Sequence, residues 1–362
     1  MTAPVPRPGV MAIEAYVGGK SALAGQQRVI KLSSNEGALG PSPRAMQAFS
    51  KVAEALHRYP DGSAAELRAA IGRSFGLDPQ RIVCGAGSDE LIALLTKAYA
   101  GPGDEVLYSQ YGFVMYPIST HAAGATPVSA PETGYRTDID ALLARANART
   151  KICFVANPNN PTGSYVSGAD LRRLREGLPA HTLLVIDAAY AEYVARNDYG
   201  DGRELCDAFE NVVMLRTFSK IFALGGLRLG WAYAGPAIVD VLNRVRGPFN
   251  VSSAAQAAGV AALEDLAFTD KVRAHNDVWM PWFAQQVAAL GLEPLPSVGN
   301  FVLVRFPSET KSAAAANAHL NRDGIIPRAV ANYGLPDFIR FTIGTEEEMR
   351  AVVASLTAFM RG

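Results

Sequence analysis

The 362-residue chain is short of several things, and each shortage excludes something. It has only three cysteines, Cys84, Cys153 and Cys206, far apart and without metal-ligand spacing. Each lies in or beside an apolar run, the setting of a buried, reduced thiol rather than of a disulfide framework. Charged residues make up just 19%, and 34 Lys plus Arg balance 34 Asp plus Glu, so no net field draws the chain to nucleic acid or to a membrane surface. No stretch approaches the roughly 18 uninterrupted apolar residues of a membrane span. Met1 to Val10 contains Pro4, Pro6 and Pro8 but no basic region followed by an apolar core, so a secretory signal is not expected and a cytoplasmic location is. No internal repeat is visible. What remains is an ordinary globular composition, 49% hydrophobic, sufficient for cores in two or three domain-sized units.

The prolines of the first residues predict an irregular arm before a short helix. A helical pattern starting at Pro43 breaks at Arg58-Tyr59-Pro60-Asp61-Gly62, a strong turn signal, and a helix is expected from Ala64 to Phe75. Beyond it, strand-like and helical segments alternate. Ile82 to Cys84, Glu105 to Tyr108, Ala125 to Val128, Lys151 to Ala156, Leu183 to Ile186, Val212 to Arg216 and Gly230 to Tyr233 read as strands. Two of them are continuous apolar runs, the pattern of strands covered on both faces. Ser88 is expected to cap a helix to Ala100. Such alternation predicts an α/β domain with a mainly parallel central sheet over residues 45–265. From residue 266 the pattern changes to a long helix (Phe268 to Ala289), strands at Asn300 to Phe306 and Phe338 to Ile343, and helices at Ser312 to Asn321 and Glu346 to Met360. A smaller α+β domain over 266–362 is expected, with residues 1–44 as an arm packing against it.

Several loops at strand ends carry chemistry. Gly85-Ala86-Gly87-Ser88 joins a strand to a helix. It reads either as a tight turn with a Ser cap or as a phosphate cradle of small residues at a helix N-terminus. Asn157-Pro158-Asn159-Asn160-Pro161-Thr162-Gly163 is turn chemistry after an apolar strand. Asp187 ends the run Leu183-Leu184-Val185-Ile186, where a carboxylate either caps the next helix or needs a partner for its buried charge. Thr217-Phe218-Ser219-Lys220 follows another apolar strand, with Arg228 eight residues after the lysine.

Taken together and in this order, these strings resemble the aspartate-aminotransferase-like superfamily of fold type I pyridoxal-phosphate enzymes, over nearly the whole chain. The resemblance implies that Lys220 joins the cofactor aldehyde and later shuttles the substrate α-proton, which requires a depressed amine pKa. It implies cofactor contacts from Gly85, Ala86, Gly87, Ser88, Thr217, Ser219 and Arg228 at the phosphate. Asn157 and Tyr190 are implied at the ring hydroxyl, Asp187 at the ring nitrogen and Tyr111 against the ring face. Tyr59 is implied to reach the phosphate of a neighbouring subunit, hence a homodimer with shared sites.

Within the superfamily the segments Leu32-Ser33-Ser34-Asn35-Glu36, Gly40-Pro41-Ser42-Pro43, Gly324-Ile325-Ile326-Pro327-Arg328 and Ile339-Arg340-Phe341-Thr342-Ile343-Gly344-Thr345 are most similar to histidinol-phosphate aminotransferases. That likeness implies a ping-pong transamination between histidinol phosphate and 2-oxoglutarate, with Arg340, Arg328, Tyr16 and Asn35 on the substrate side. Guanidinium forks suit both carboxylate and phosphate. Two departures are present: Ala188 stands where many relatives have Glu, and Gly37-Ala38 where Asn-Pro is frequent. The same motifs leave open an aromatic amino-acid aminotransferase, differing only in pocket shape, and a threonine-phosphate-type decarboxylase. A non-catalytic regulator on this fold is disfavoured by the presence of Lys220.

Overall fold

A computed structural model of the chain describes residues 4–15, 18–23, 25 and 29–362. Among them, the largest element is a seven-stranded sheet in the order Ile82–Gly85, Gly230–Ala234, Val212–Thr217, Leu183–Asp187, Thr150–Ala156, Glu105–Ser109, Thr126–Ala130. Gly230–Ala234 runs antiparallel to both its neighbours, and the other pairings are parallel. The apolar runs behave as a doubly covered sheet requires. Leu107, Cys153, Val155, Leu184, Ile186, Val212 and Met214 pack into one core, while their alternates Val106, Ile152, Phe154, Leu183, Val185, Val213 and Leu215 pack into another. All three cysteines are free and buried in these layers, and burial pushes the thiols of Cys84 and Cys153 up to about 12.

A separate four-stranded sheet, Arg328–Ala329, Phe338–Thr342, Phe301–Arg305 and Glu293–Pro294, is antiparallel throughout. Its core holds Phe283, Val302, Val304, Phe341, Val352 and Leu356, drawn from the helices Leu266–Ala289 and Glu346–Arg361 as well as the strands. The last helix opens with a capping box: Thr345 accepts from the Glu348 amide, and the Glu348 carboxylate accepts from the Thr345 amide. Ile30–Lys31 pairs in parallel with Ile325–Ile326. The arm touches both halves, because the short helix Val10–Ala12 lies against the helix Met115–Ala123 beside the large sheet.

Parallel strands put their carboxyl ends on one edge of a sheet, and an open α/β sheet places its ligand crevice there. Four adjacent strands end on this edge at Ser109, Ala156, Asp187 and Thr217. The small sheet's Arg328 and Arg340 face that edge, since both line the cavity described next.

Candidate active site

The cavity at the sheet edge has a volume of about 260 Å³ and is walled by residues from the arm, the large sheet and the small sheet. Lys220 lies just past the strand Val212–Thr217, and its Nζ donates to the Ser34 carbonyl at 3.2 Å and sits 5.6 Å from the Tyr190 ring centroid. Burial, reinforced by the Arg340 cation, depresses the amine to about 8. At pH 7–8 a sizeable fraction is therefore the neutral, nucleophilic form.

Asp187, at the end of its strand, is buried and lines the same cavity. Its Oδ2 accepts the Tyr116 hydroxyl at 2.9 Å, while Oδ1 is buried with no hydrogen-bond partner. Desolvation raises this carboxyl to about 6, against the Tyr116 hydrogen bond, which acts to lower it. Tyr116 is held by stacking on Phe154, ring centroids 4.6 Å apart and planes 3° from parallel. A buried acceptor left open in this way fits a ligand that brings its own proton donor. Tyr190 accepts from Asn35 Nδ2 at 2.8 Å, and burial pushes its phenol up to about 12, so it keeps a hydrogen to donate.

An anion cradle closes one end. Ser88, Asp89, Thr217, Ser219 and Arg228 line it. Arg228 donates to Ser219 Oγ at 3.4 Å and to the Gly225 carbonyl at 3.1 Å, and pairs with Asp89 at 3.2 Å. Gly87 makes the approach possible: its φ is +86°, and a Cβ there would lie 2.4 Å from Arg228 Nη2. Gly230 faces the cradle from the antiparallel strand, where a Cβ would lie 2.4 Å from the Ser88 amide nitrogen.

At the other end Arg328 and Arg340 are direct cross-strand partners in the antiparallel register, so their side chains leave the same face of the small sheet. Arg340 donates to the Ser33 carbonyl at 2.7 Å and to Asn160 Oδ1, and its guanidinium lies 5.4 Å from the Phe301 ring centroid. Asn35 is fixed beside it by Thr342, with hydrogen bonds of 2.9 and 3.0 Å.

Several expected positions are corrected. Asn157 is fully buried and does not line the cavity. Its Nδ2 donates to the carbonyls of Val166 (3.1 Å) and Gly200 (3.0 Å), and its Oδ1 accepts from the Val166 amide at 2.9 Å, which occupies the side-chain amide. From that loop Pro158 and Asn160 line the cavity, and Asn160 is the one with a polar side chain. Both Asn157–Pro158 and Asn160–Pro161 are cis. Tyr111 is likewise elsewhere, its ring 5.9 Å from Tyr135 and packed on the cluster of Leu303, Val330 and Phe338. Phe113, two residues on, lines the cavity instead. In the cradle, the Ala86 amide donates to Glu90 Oε2 at 2.6 Å and the Gly87 amide to the Gly85 carbonyl at 2.8 Å, so neither is directed at an anion. The helix cap is Gly87 rather than Ser88, which becomes the first helical residue.

Tyr59 lies outside this chain's cavity, 82% exposed and stacked on Phe249 at 4.7 Å. Tyr16 lies outside the described residues. Phe113, Tyr116, Asn160 and the cavity-lining Tyr333 were not singled out from sequence. The doubled Asn-Pro and the closely spaced aromatics of residues 108–116 were the available signals, and neither string indicates which member turns inward.

Comparison with known proteins gives concordant matches. The family model for aminotransferase class I and II matches residues 27–356. The histidinol-phosphate aminotransferase of Paramagnetospirillum magneticum is 60% identical over 361 residues, covering 99% of both chains. That of Rhodospirillum centenum is 58% identical over the full length of both. Among solved structures, the histidinol-phosphate aminotransferase of Sinorhizobium meliloti in complex with pyridoxal-5'-phosphate superposes with a TM-score of 0.89 at 28% identity, covering 98% of this chain and 97% of that one.

Proposed function

The chain belongs to the class I and II aminotransferases, and from that premise we propose that it is a pyridoxal-phosphate enzyme exchanging an amino group between histidinol phosphate and 2-oxoglutarate, as its curated relatives' name suggests. The observation that carries the reading is one cavity holding a lysine amine depressed to about 8, a cluster of Ser88, Thr217, Ser219 and Arg228, and a buried carboxylate with an open oxygen. The residues fit the cofactor. Asp187 Oδ1 is an acceptor for a protonated ring nitrogen, Tyr190 and Asn160 are available to a ring hydroxyl, and Ser88, Thr217, Ser219 and Arg228 suit a phosphate. Bound there, pyridoxal phosphate supplies an aldehyde for the amino group and an electron-withdrawing ring that acidifies the adjacent carbon.

The protein's part is positioning and proton transfer. Lys220 Nζ would anchor the cofactor and, once freed, would serve as the base that takes the substrate α-proton, a role its lowered pKa supports. Asp187, its carboxylate fixed by Tyr116, would keep a ring nitrogen protonated. Phe113 takes the ring-face position expected of Tyr111. Arg340 binds the carboxylate of glutamate or 2-oxoglutarate, and with Arg328 forms a paired cationic surface for the phosphate of histidinol phosphate. One cationic pair thus serves both oxyanions of a ping-pong cycle.

The exposed Tyr59–Phe249 stack lies with Leu56 among the large apolar side chains open to solvent, and such a patch supports a homodimer in which Tyr59 reaches the partner's phosphate cradle. In this reading residues 45–265 are the large cofactor-binding domain, 266–362 a small C-terminal domain and 1–44 an arm packing with it, and the cytoplasm is the location; no helix among the described residues is long and apolar enough to cross a membrane. Adding glutamate, histidinol phosphate or phenylalanine singly to the loaded enzyme, and following the change in bound-cofactor absorbance, tests the substrate. Rapid change with the first two and slow change with phenylalanine is expected. Rapid change with phenylalanine alone moves the enzyme to the aromatic class.

A further inference from the structure

Behind the anion cradle, outside the cavity, lies a polar node to which the reaction gives no role. Glu90, in the first turn of the helix Ser88–Tyr99, turns its carboxylate back toward the preceding loop. Oε2 accepts the Ala86 amide at 2.6 Å and Asn250 Nδ2 at 2.7 Å. Asn250 is itself fully engaged: its Nδ2 also donates to the Cys84 carbonyl at 3.3 Å, and its Oδ1 accepts from Arg246 at 3.0 Å. Asn250, from a distant segment, is therefore tied directly to the strand at Cys84 and, through Glu90, to the turn at Ala86.

The loop needs such a tie. It must hold Gly87 at φ +86° and ψ 164°, a region nearly confined to glycine, so that Arg228 can cross it. Gly85 is equally crowded, since a Cβ there would lie 2.8 Å from Leu91 Cγ and 3.2 Å from Glu90 Oε2. A flexible glycine turn without a fixed amide would sample many conformations. The charged acceptor at Ala86 selects one, and charge-assisted hydrogen bonds are the stronger kind.

The node also reaches the surface. Asn250 directly follows Phe249, a non-glycine residue at φ +55° whose ring is stacked on Tyr59 in the exposed aromatic pair. We propose that Glu90 and Asn250 are positioning residues that fix the Gly85–Ser88 turn, so that Ser88 and Arg228 keep their places at the cavity wall, and link it to the Tyr59–Phe249 face. The inference rests on the cofactor reading above.

The test is the rate at which pyridoxal phosphate leaves the loaded enzyme on dilution, followed by loss of its bound absorbance. Glu90→Ala should release it roughly tenfold faster, the effect of losing one charged hydrogen bond. Glu90→Gln keeps a carbonyl oxygen for both donors but loses the charge, and should fall between the parent and Glu90→Ala. Phe249→Ala should speed release in the parent but add nothing in an Asn250→Ala background. Release from Glu90→Ala at the parent rate, equal release from the Ala and Gln variants, or additive effects of Phe249→Ala and Asn250→Ala would each overturn the proposal. If Glu90→Ala does not fold, Glu90→Gln and the Asn250 pair still decide it. A parent chain that takes up no cofactor removes both readings, whereas a parent that binds it beside an inert Glu90→Ala removes this one alone.

Discussion

Replacing Asp187 by Asn should make the cofactor-free protein more stable above neutral pH while weakening its hold on the cofactor. The carboxyl is buried, and desolvation raises it from the ordinary 3.8 to about 6. At 1.36 kcal/mol per pH unit, that gap of about 2.2 corresponds to about 3 kcal/mol of destabilisation when the group is charged. The sign follows from which form the fold prefers. A raised folded pKa means the folded protein binds the proton more tightly than the unfolded chain. The penalty is therefore present above about pH 6, shrinks as pH falls through 6, and is gone near 4. Asparagine carries no charge, keeps an oxygen for the Tyr116 hydroxyl, and leaves one polar atom open just as the carboxylate does. The gain should approach 3 kcal/mol at pH 8, on the order of 2 °C in melting midpoint per kcal/mol for a chain of this size, and vanish near pH 4. Melting curves of the cofactor-free parent and variant at pH 8, 6 and 4.5 read this directly. An Asn variant no more stable at pH 8 than at pH 4.5, relative to parent, would refute the idea that an uncompensated carboxylate is stored at this site for a cationic ligand.

Gly87→Ala should cost about 1–3 kcal/mol of stability from its positive φ alone, and cofactor affinity should fall about tenfold or more because Arg228 is pushed aside. Gly103→Ala, with φ +91° and nothing within 4 Å of its Cβ, is the control and should leave cofactor affinity unchanged in a titration. Cofactor uptake by the free protein should rise with pH through an inflection near 8, where the Lys220 amine loses its proton, and stopped-flow absorbance at several pH values checks this. An inflection near 10.5 would mean the amine is not desolvated. Asn160→Ala should lower kcat severalfold with little change in melting midpoint, since Asn160 meets the cavity and Arg340. Asn157→Ala should instead lower the midpoint by the equivalent of about 1–3 kcal/mol, because it leaves the buried backbone groups of Val166 and Gly200 unpartnered.

The contrast between those two asparagines marks where sequence reading stops. The apolar runs at 152–156 and 183–186 identify doubly covered strands, because burial on both faces demands apolar residues at every position. The residues ending such strands, Asp187 and Thr217, follow from that assignment, since a parallel sheet presents its carboxyl ends on one edge. Lys220 and Arg228, with the strings around them, carry the family resemblance without help from coordinates. Local chemistry could not choose between Asn157 and Asn160 or between Tyr111 and Phe113. Each pair sits in a turn where the side-chain direction reverses within a few residues, and the outcome depends on distant partners. Val166 and Gly200 capture Asn157, and the small sheet captures Tyr111.

Tertiary structure alone also decides the pairing of Arg328 with Arg340 and the engagement of the Ala86 amide by Glu90. In the first case the reason is strand register, which fixes face and neighbour across a long loop. In the second it is a competition for one N–H between a ligand and a side chain, which only their distances resolve. Sequence determines the strands of the large sheet, the end of that sheet where chemistry gathers and the residue types present there, whereas the two-residue strands Ile30–Lys31, Glu293–Pro294, Ile325–Ile326 and Arg328–Ala329 form only through tertiary pairing. The fold determines which of those residues turn inward, because direction is set by contacts between segments that the chain brings together from opposite ends of its length.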